Sequence, residues 1–248
     1  MNNYIELQNV SIEIPVFDAS RSFRHSLANH LGGDISRNKK KKVCVNALRN
    51  ISFSLQSGDR LGLIGHNGAG KTTLLRLLAH IYRPTEGQYI CRGRVTSLFN
   101  INLGMDLDDT GIENIRTIGM FLGMTKKEIA GKRDEIIAFS ELGDFIHLPL
   151  RTYSSGMLTR LSFALATALK PDILLMDEEI GAGDANFADK AEKRLSNFYE
   201  GISTLVLASH SEELIKKLCN KALLLEHGRI KAFGNVEEVI SVYQTKSS

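Results

Sequence analysis

An α/β fold is predicted by three adjoining features of this 248-residue chain. The short apolar run Arg60-Leu61-Gly62-Leu63-Ile64 reads as a buried parallel strand. Directly after it, Gly65-His66-Asn67-Gly68-Ala69-Gly70-Lys71-Thr72 fits the pattern G-x-x-x-x-G-K-[ST] at every fixed position. Leu74, Leu77, Leu78 and Ile81 then share one helix face, and Pro84 is placed to stop that helix. A strand, a glycine loop and a helix in this order turn backbone N–H groups and a helix N-terminus toward one anion. Glycines let phosphates approach the backbone, Lys71 adds a point charge, and the Thr72 hydroxyl can ligate Mg²⁺. Such a pattern arises by chance in a chain of this size on the order of 1% of the time. A nucleoside triphosphate is the expected ligand.

The other elements follow from periodicity and punctuation. Residues 4–16 alternate (Ile5, Leu7, Val10, Ile12, Ile14, Val16) as one or two half-buried strands, with Pro15 near the end. The segment 18–46 carries Phe23, Leu27 and Leu31 at four-residue spacing, a short amphipathic helix closed by Gly32-Gly33. Lys39-Lys40-Lys41-Lys42 follows and reads as a solvated loop, with a contact to anionic lipid headgroups or an acidic substrate as the other reading. Strand-like alternation returns over 43–59 and ends in the turn Ser57-Gly58-Asp59. From 106 to 170 the pattern is largely helical, with breaks at Gly111, Gly123, Gly143 and Pro149. Leu158, Leu161, Leu165 and Leu169 line a helix over 154–169 that Pro171 ends. Strands at 173–176 and 204–208 then alternate with helices near 185–199 and 212–218, and a hairpin spans 223–230 around Gly228. Asn235 and Glu238 resemble a capping box for a last helix. The whole is an α/β nucleotide-binding core interrupted by a helical insert.

Composition narrows the classes. Hydrophobic content of 43% and charged content of 24% are those of an ordinary globular protein. A net charge of +3 without a concentrated basic face argues against nucleic acid as a partner. Cys44, Cys91 and Cys219 lie far apart with no metal-type spacing and suggest a reducing compartment. The N-terminal residues lack the regions of a signal peptide, and no stretch approaches the ~20 apolar residues of a membrane span. Work at a membrane would require a partner that holds the chain there.

Later motifs carry the chemistry. Ile173-Leu174-Leu175-Met176-Asp177 is a second apolar strand ending in an acid suited to organising Mg²⁺. Glu178 stands just beyond the strand's C-terminal end, where ligands bind in open α/β sheets, and can polarise an attacking water as general base. Thr204-Leu205-Val206-Leu207-Ala208-Ser209-His210 closes another buried strand with a histidine placed for a γ-phosphate contact. Tyr153-Ser154-Ser155-Gly156-Met157 opens the helix over 154–169. A small-residue turn there is a second anion site and, by composition alone, equally a helix cap.

In this order and register the motifs resemble those of the nucleotide-binding subunit of an ABC transporter, over nearly the whole chain. The resemblance implies a P-loop NTPase core with a mixed sheet, an antiparallel β subdomain and an inserted α-helical subdomain, about 100–170, in one ATP-binding domain over 1–248. It makes 65–72 the Walker A loop with Thr73 beside it, 153–157 the signature, and Asp177-Glu178 the Walker B acids. Gly181-Ala182-Gly183-Asp184 takes the D-loop position and His210 that of the switch histidine. ATP and Mg²⁺ are implied. Lys71, Glu178 and His210 are the catalytic candidates, and Thr72, Asp177 and Asn100, at the Q-loop position, are the metal candidates. Gly65, His66, Asn67, Gly68, Ala69, Gly70, Ser154, Ser155, Gly156 and Asp184 are candidates for nucleotide contact. Phe17 is the aromatic expected to stack on adenine, with Tyr4 as the alternative.

The family's common signature is Leu-Ser-Gly-Gly-Gln, and the variant here resembles that of exporters of bacterial surface polysaccharides (O-antigen, capsule and teichoic acid). Leu103-Gly104-Met105-Asp106, Thr110-Gly111-Ile112-Glu113-Asn114-Ile115, Gly183-Asp184-Ala185-Asn186-Phe187 and the insert 18–46 point to the same branch. The implied partners are a second copy, with ATP between the loop of one and the signature of the other, and a polytopic transmembrane permease. Lipid-linked polysaccharide is handled indirectly, from a peripheral position on the cytoplasmic face of the bacterial plasma membrane. The 18–46 insert is expected to lie against the membrane subunit, its lysines near a diphosphate lipid headgroup. With the chain ending at Ser248, no appended carbohydrate-binding domain is expected. Importer and drug-exporter cassettes share the chemistry and differ in signature and insert. Soluble ABC ATPases acting on DNA or ribosomes usually carry coiled-coil inserts or tandem cassettes, which this chain lacks.

Overall fold

The computed structural model describes residues 3–15, 34–37, 43–99, 104–178 and 185–247. By internal packing the chain divides into two units, the first of Met1–Val95, Ile173–Glu178 and Ser203–Ser248, the second of Thr96–Asp172 and Glu179–Ile202.

In the first unit, the N-terminal alternation changes phase between Leu7 and Val10, and the structure resolves the change with a bulge. Strand β1 (Tyr4–Pro15) slips register there, with Asn9 at φ 48°, so Ile5, Leu7, Val10 and Ile12 all face the core. One bulged strand therefore replaces the expected one or two. β2 (Asp34–Arg37) pairs with the start of β3 (Val43–Gln56), and β5 (Glu86–Arg92) pairs with β1, giving an antiparallel sheet of order β2-β3-β1-β5. Residues 43–46, shared between the expected insert and the strand-like stretch 43–59, belong to β3. The expected helix at Phe23, Leu27 and Leu31 and the lysine run 39–42 lie outside the described residues. β5 is half-exposed along its length and carries no apolar alternation, so the sequence does not announce it.

The second sheet has the order β10-β9-β4-β8-β7-β6, from β4 (Arg60–Ile64), β6 (Val95–Leu98), β7 (Ile173–Asp177), β8 (Thr204–Ala208), β9 (Lys221–Glu226) and β10 (Arg229–Asn235). β9, β4, β8 and β7 run parallel and β10 returns antiparallel, which makes the sheet mixed. The continuous apolar runs of β4, β7 and β8 follow from burial on both faces. After β4, helix α1 (Lys71–Leu78) buries Leu74, Leu77 and Leu78 as expected. It ends before Pro84 has any part in stopping it. His80 turns to φ 58° and Ile81, expected on the buried face, is 58% exposed.

The second unit is helical. α2 (Gly111–Phe121) and α3 (Lys126–Ser140) open on full capping boxes, Thr110 with Glu113 and Thr125 with Glu128. Gly111, expected as a break, is instead the first residue of α2. Asn114, fully buried, donates to the carbonyls of Asp106, Asp109 and Thr110 and accepts from the Asp106 N–H, fastening the loop that enters α2. Short 3-10 turns at Gly143–His147 and Leu150–Thr152 lead to α4 (Ser155–Thr167), and α5 (Ala185–Glu200) completes the unit. In the first unit, α6 (Glu212–Leu218) and α7 (Val236–Ser247) close the chain, with Asn235 accepting the Glu237 N–H at 2.9 Å.

Close approach of α6 to β4 requires Gly62, because a Cβ there would sit 2.4 Å from Ile215 Cγ2. Gly62→Ala is expected to lower stability by about 1–3 kcal/mol. In the Ile215→Ala background the same change should cost far less, since the clashing atom is gone. Urea unfolding of the four proteins of this cycle measures that coupling.

Candidate active site

The glycine loop is shaped by crowding from its neighbours in the first unit. Gly65, Gly68 and Gly70 take φ values of 148°, 78° and 114°. A Cβ on Gly65 would lie 2.4 Å from Leu225 O, and one on Gly70 would lie 3.1 Å from Ala47 O. Behind the loop, the β9–β10 turn bonds to it through the Gly228 N–H to Ala69 O at 2.9 Å, while the Arg49 N–H of β3 bonds to Gly228 O at 2.8 Å. Ala69 is buried, whereas His66, Asn67 and Gly68 are exposed along the loop's open side. The His66 ring lies 5.1 Å from that of His227 on the β9–β10 turn.

Lys71, only 8% exposed, donates to Gly65 O at 2.5 Å and His66 O at 3.2 Å. Burial lowers its pKa from the usual 10.5, and the carboxylates of Asp177 and Glu178 oppose that shift. At the end of β7, Asp177 Oδ2 accepts from the Thr72 hydroxyl at 3.1 Å. Thr73 is half-buried on α1. Glu178 leaves the strand at φ 79°, its N–H bonded to Ala208 O of β8 at 2.8 Å. Its carboxylate accepts from the Ser209 hydroxyl at 2.9 Å and from the His210 N–H at 3.2 Å. The structure therefore brings together Lys71, Thr72, Asp177, Glu178 and His210, which the sequence spreads over 140 positions.

The Thr72–Asp177 pair suits a hard divalent cation. It offers a hydroxyl and a carboxylate oxygen, the sparse oxygen set that Mg²⁺ takes when phosphates and waters supply the remaining positions. Among the described residues no group of three or more His, Cys, Asp or Glu side chains forms a protein metal cage.

Sequence reasoning missed Ser209. It is buried and bridges Glu178 to the start of α6, where it also accepts the Ser211 N–H at 3.2 Å. A small polar residue between a buried strand and a histidine was the available signal. Tyr4, the alternative adenine platform, is partly buried under the Arg92 guanidinium, 5.4 Å from its ring centre. Phe17, Asn100 and Asp184 lie outside the described residues.

In the second unit, Ser154 accepts the Met157 N–H at 3.2 Å and caps α4, so the helix-cap reading of this turn holds. Ser154 and Ser155 are exposed and Gly156 is partly so. The preceding Tyr153 is buried, and its hydroxyl donates to Phe145 O at 2.7 Å. Its approach depends on Gly111, where a Cβ would meet Tyr153 Oη at 2.5 Å.

A family described as ABC transporter matches residues 48–181. The chain belongs to the ABC transporter family. As a member it is an ATPase of the transport machinery. The O-antigen export system ATP-binding protein RfbE of Yersinia enterocolitica is 49% identical over 225 residues, 90% of this chain and 94% of that protein. RfbB of Klebsiella pneumoniae, of the same description, is 35% identical over 98% of both chains. The teichoic acids export ATP-binding protein TagH of Lactococcus lactis is 41% identical over 85% of this chain, which spans 45% of that longer relative. Among solved structures, the ATP-binding cassette MJ0796, a dimer in a post-hydrolysis state bound to ADP and Pi, superposes with a TM-score of 0.64. It covers 94% of this chain and 98% of its own, at 20% identity, and so attests the fold.

Two measurements test the geometry of this cassette. Between the lowered Lys71 pKa and 10.5 the unfolded chain holds a proton that the folded chain has released. Stability of the nucleotide-free protein should therefore rise with pH across that window, and ATP affinity should fall, since phosphate contact needs the ammonium. Both trends should vanish in Lys71→Met, read by urea midpoints and ATP titrations. Ser209→Ala should reduce kcat by roughly tenfold with KM little changed, because it unfastens a carboxylate without touching substrate.

Proposed function

We propose that this chain is the ATP-hydrolysing subunit of an exporter that moves lipid-linked surface polysaccharide, of the O-antigen, capsule or teichoic acid type, across the bacterial cytoplasmic membrane. The observation that carries the reading is Glu178, fastened by Ser209 and the His210 backbone beside Lys71 and the Thr72–Asp177 pair. The cargo rests on the export systems for which the similar proteins are named, RfbE and RfbB for O-antigen and TagH for teichoic acids.

Lys71 and the N–H groups of 65–70 would hold the phosphates, and Lys71 would exchange its two carbonyl partners for phosphate oxygens. Thr72 and Asp177 would hold Mg²⁺, which supplies charge neutralisation at the phosphates. The carboxylate of Glu178 would orient and polarise water, and the exposed His210 ring would steady the γ-phosphate. Phosphoryl transfer of this kind depends on positioning and charge stabilisation.

The second anion site would be the Ser154–Gly156 turn of another copy, set head to tail in a two-fold dimer that closes on ATP. Among the described residues no helix is long and apolar enough to cross a membrane, so a polytopic permease would anchor the dimer at the cytoplasmic face. Exposed Leu107, Phe121, Phe145 and Leu148 in the helical unit offer apolar surface to that partner. On sequence grounds alone, Asn100 would complete the metal environment, Asp184 would reach the partner copy's nucleotide, and Phe17 would stack on adenine. On the same grounds the 18–46 insert would face the permease near the lipid-linked substrate.

Glu178→Gln should cut ATP turnover by about 100-fold or more while leaving ATP binding intact. The same variant, tagged and recovered with ATP from detergent-solubilised membranes, should bring down a polytopic membrane protein with glycan-bearing lipid. Recovery of only soluble or nucleic-acid partners would overturn the transport reading and leave the ATPase chemistry standing.

A further inference from the structure

Three phenylalanines from three helices meet inside the second unit. Phe139 of α3, Phe163 of α4 and Phe187 of α5 are buried, with ring centres 5.9, 5.2 and 5.8 Å apart for the pairs 139–163, 139–187 and 163–187. Phe187 meets both other rings edge-on, at 69° and 85°, a favoured aromatic geometry.

Cations cover the cluster. Arg160 of α4 lies over the Phe187 ring at 5.1 Å, and Lys190 of α5 lies over Phe139 at 4.8 Å and Phe187 at 5.9 Å. Arg194 of α5 stacks on Phe139 at 4.2 Å. Glu141, which ends α3 in the left-handed conformation at φ 56°, accepts from Lys190 and pairs with Arg160 at 3.5 Å. Phe187 thus touches the rings of α3 and α4, and cations of both α4 and α5 reach it.

Helix α4 begins at the Ser154 cap, so its pitch aims the exposed Ser154–Gly156 turn. Arg160 and Phe163, one turn apart, are the side chains by which α4 grips Phe187. Tyr153 fixes the other side of the turn through its hydroxyl on Phe145 O, with Gly111 of α2 leaving room for that approach. We propose that Phe187 is a positioning residue for the signature turn, setting the direction in which α4 presents Ser154 to the nucleotide of a second copy. This inference rests on the two-fold dimer proposed above.

The test uses the full chain carrying Glu178→Gln, with and without Phe187→Leu, which keeps an apolar filler and removes the ring. Light scattering follows ATP-dependent dimerisation, and a fluorescent ATP analogue reports binding to the monomer. Phe187→Leu should shift the ATP midpoint of dimerisation upward by about tenfold or more, since both of its aromatic pairs are lost, with analogue affinity within about twofold. Lys190→Met should shift it in the same direction by less, keeping the packing and losing the cation. A Phe187→Leu protein that melts earlier yet dimerises at the same ATP concentration would show a purely structural ring and overturn the inference. If the Glu178→Gln parent itself stays monomeric with ATP, the two-fold reading falls instead, whatever Phe187 does.

Discussion

Lys71, a largely buried residue, donates its ammonium to two carbonyls of its own loop, and the loop is wrapped around that placement. Removing a charged amine from water is costly unless hydrogen bonds and opposite charge surround it. The loop must therefore wrap tightly enough to turn Gly65 O and His66 O inward, a path that needs left-handed backbone at Gly65, Gly68 and Gly70. Its outer wall is other backbone, with Leu225 O and Ala47 O standing where side chains would be. β3 and the β9–β10 turn thus shape the loop largely through their backbone.

The same economy governs the two acids that follow β7. Asp177 and Glu178 are consecutive, yet the change from extended backbone to φ 79° at Glu178 sends them to different tasks. Asp177 meets the Thr72 hydroxyl, and Glu178 is gathered by the end of β8. Parallel pairing of β7 with β8, in the register Asp177 opposite Ala208, is what sets these groups side by side. In the helical unit the Ser154 turn is held from two directions, by the Tyr153 hydroxyl on Phe145 O and by the aromatic cluster behind α4.

Legibility in the sequence followed local periodicity. The strands at 60–64, 173–177 and 204–208 are apolar because both sheet faces are covered, and they were readable almost to the residue. The helix at Glu212–Leu218 was placed, and the extent of α4 was readable from its opening serine turn and Pro171. β2 and β5 were not, since each is short or half-exposed and is stabilised by its neighbours rather than by its own pattern. Ile81 fits the helical period, and the left-handed His80 takes it off the helix face. Gly111, in isolation a helix breaker, became the first residue of α2 because Thr110 and Glu113 cap that helix and Tyr153 needs the vacant Cβ position.

The sequence by itself determined the chemistry: a phosphate loop, two acids after a buried strand, a histidine after another and a serine turn at a helix start. Each is encoded within a few residues, because local backbone geometry and side-chain type suffice to specify it. Tertiary structure alone decided which groups act together. Ser209 was unremarked in the sequence and holds Glu178; Gly62 and Gly111 were plain glycines and admit Ile215 and Tyr153. Phe139, Phe163 and Phe187, from three separate helices, form one cluster. These pairings depend on strand order and helix packing, where contact is made between residues far apart in the chain and no local period records it.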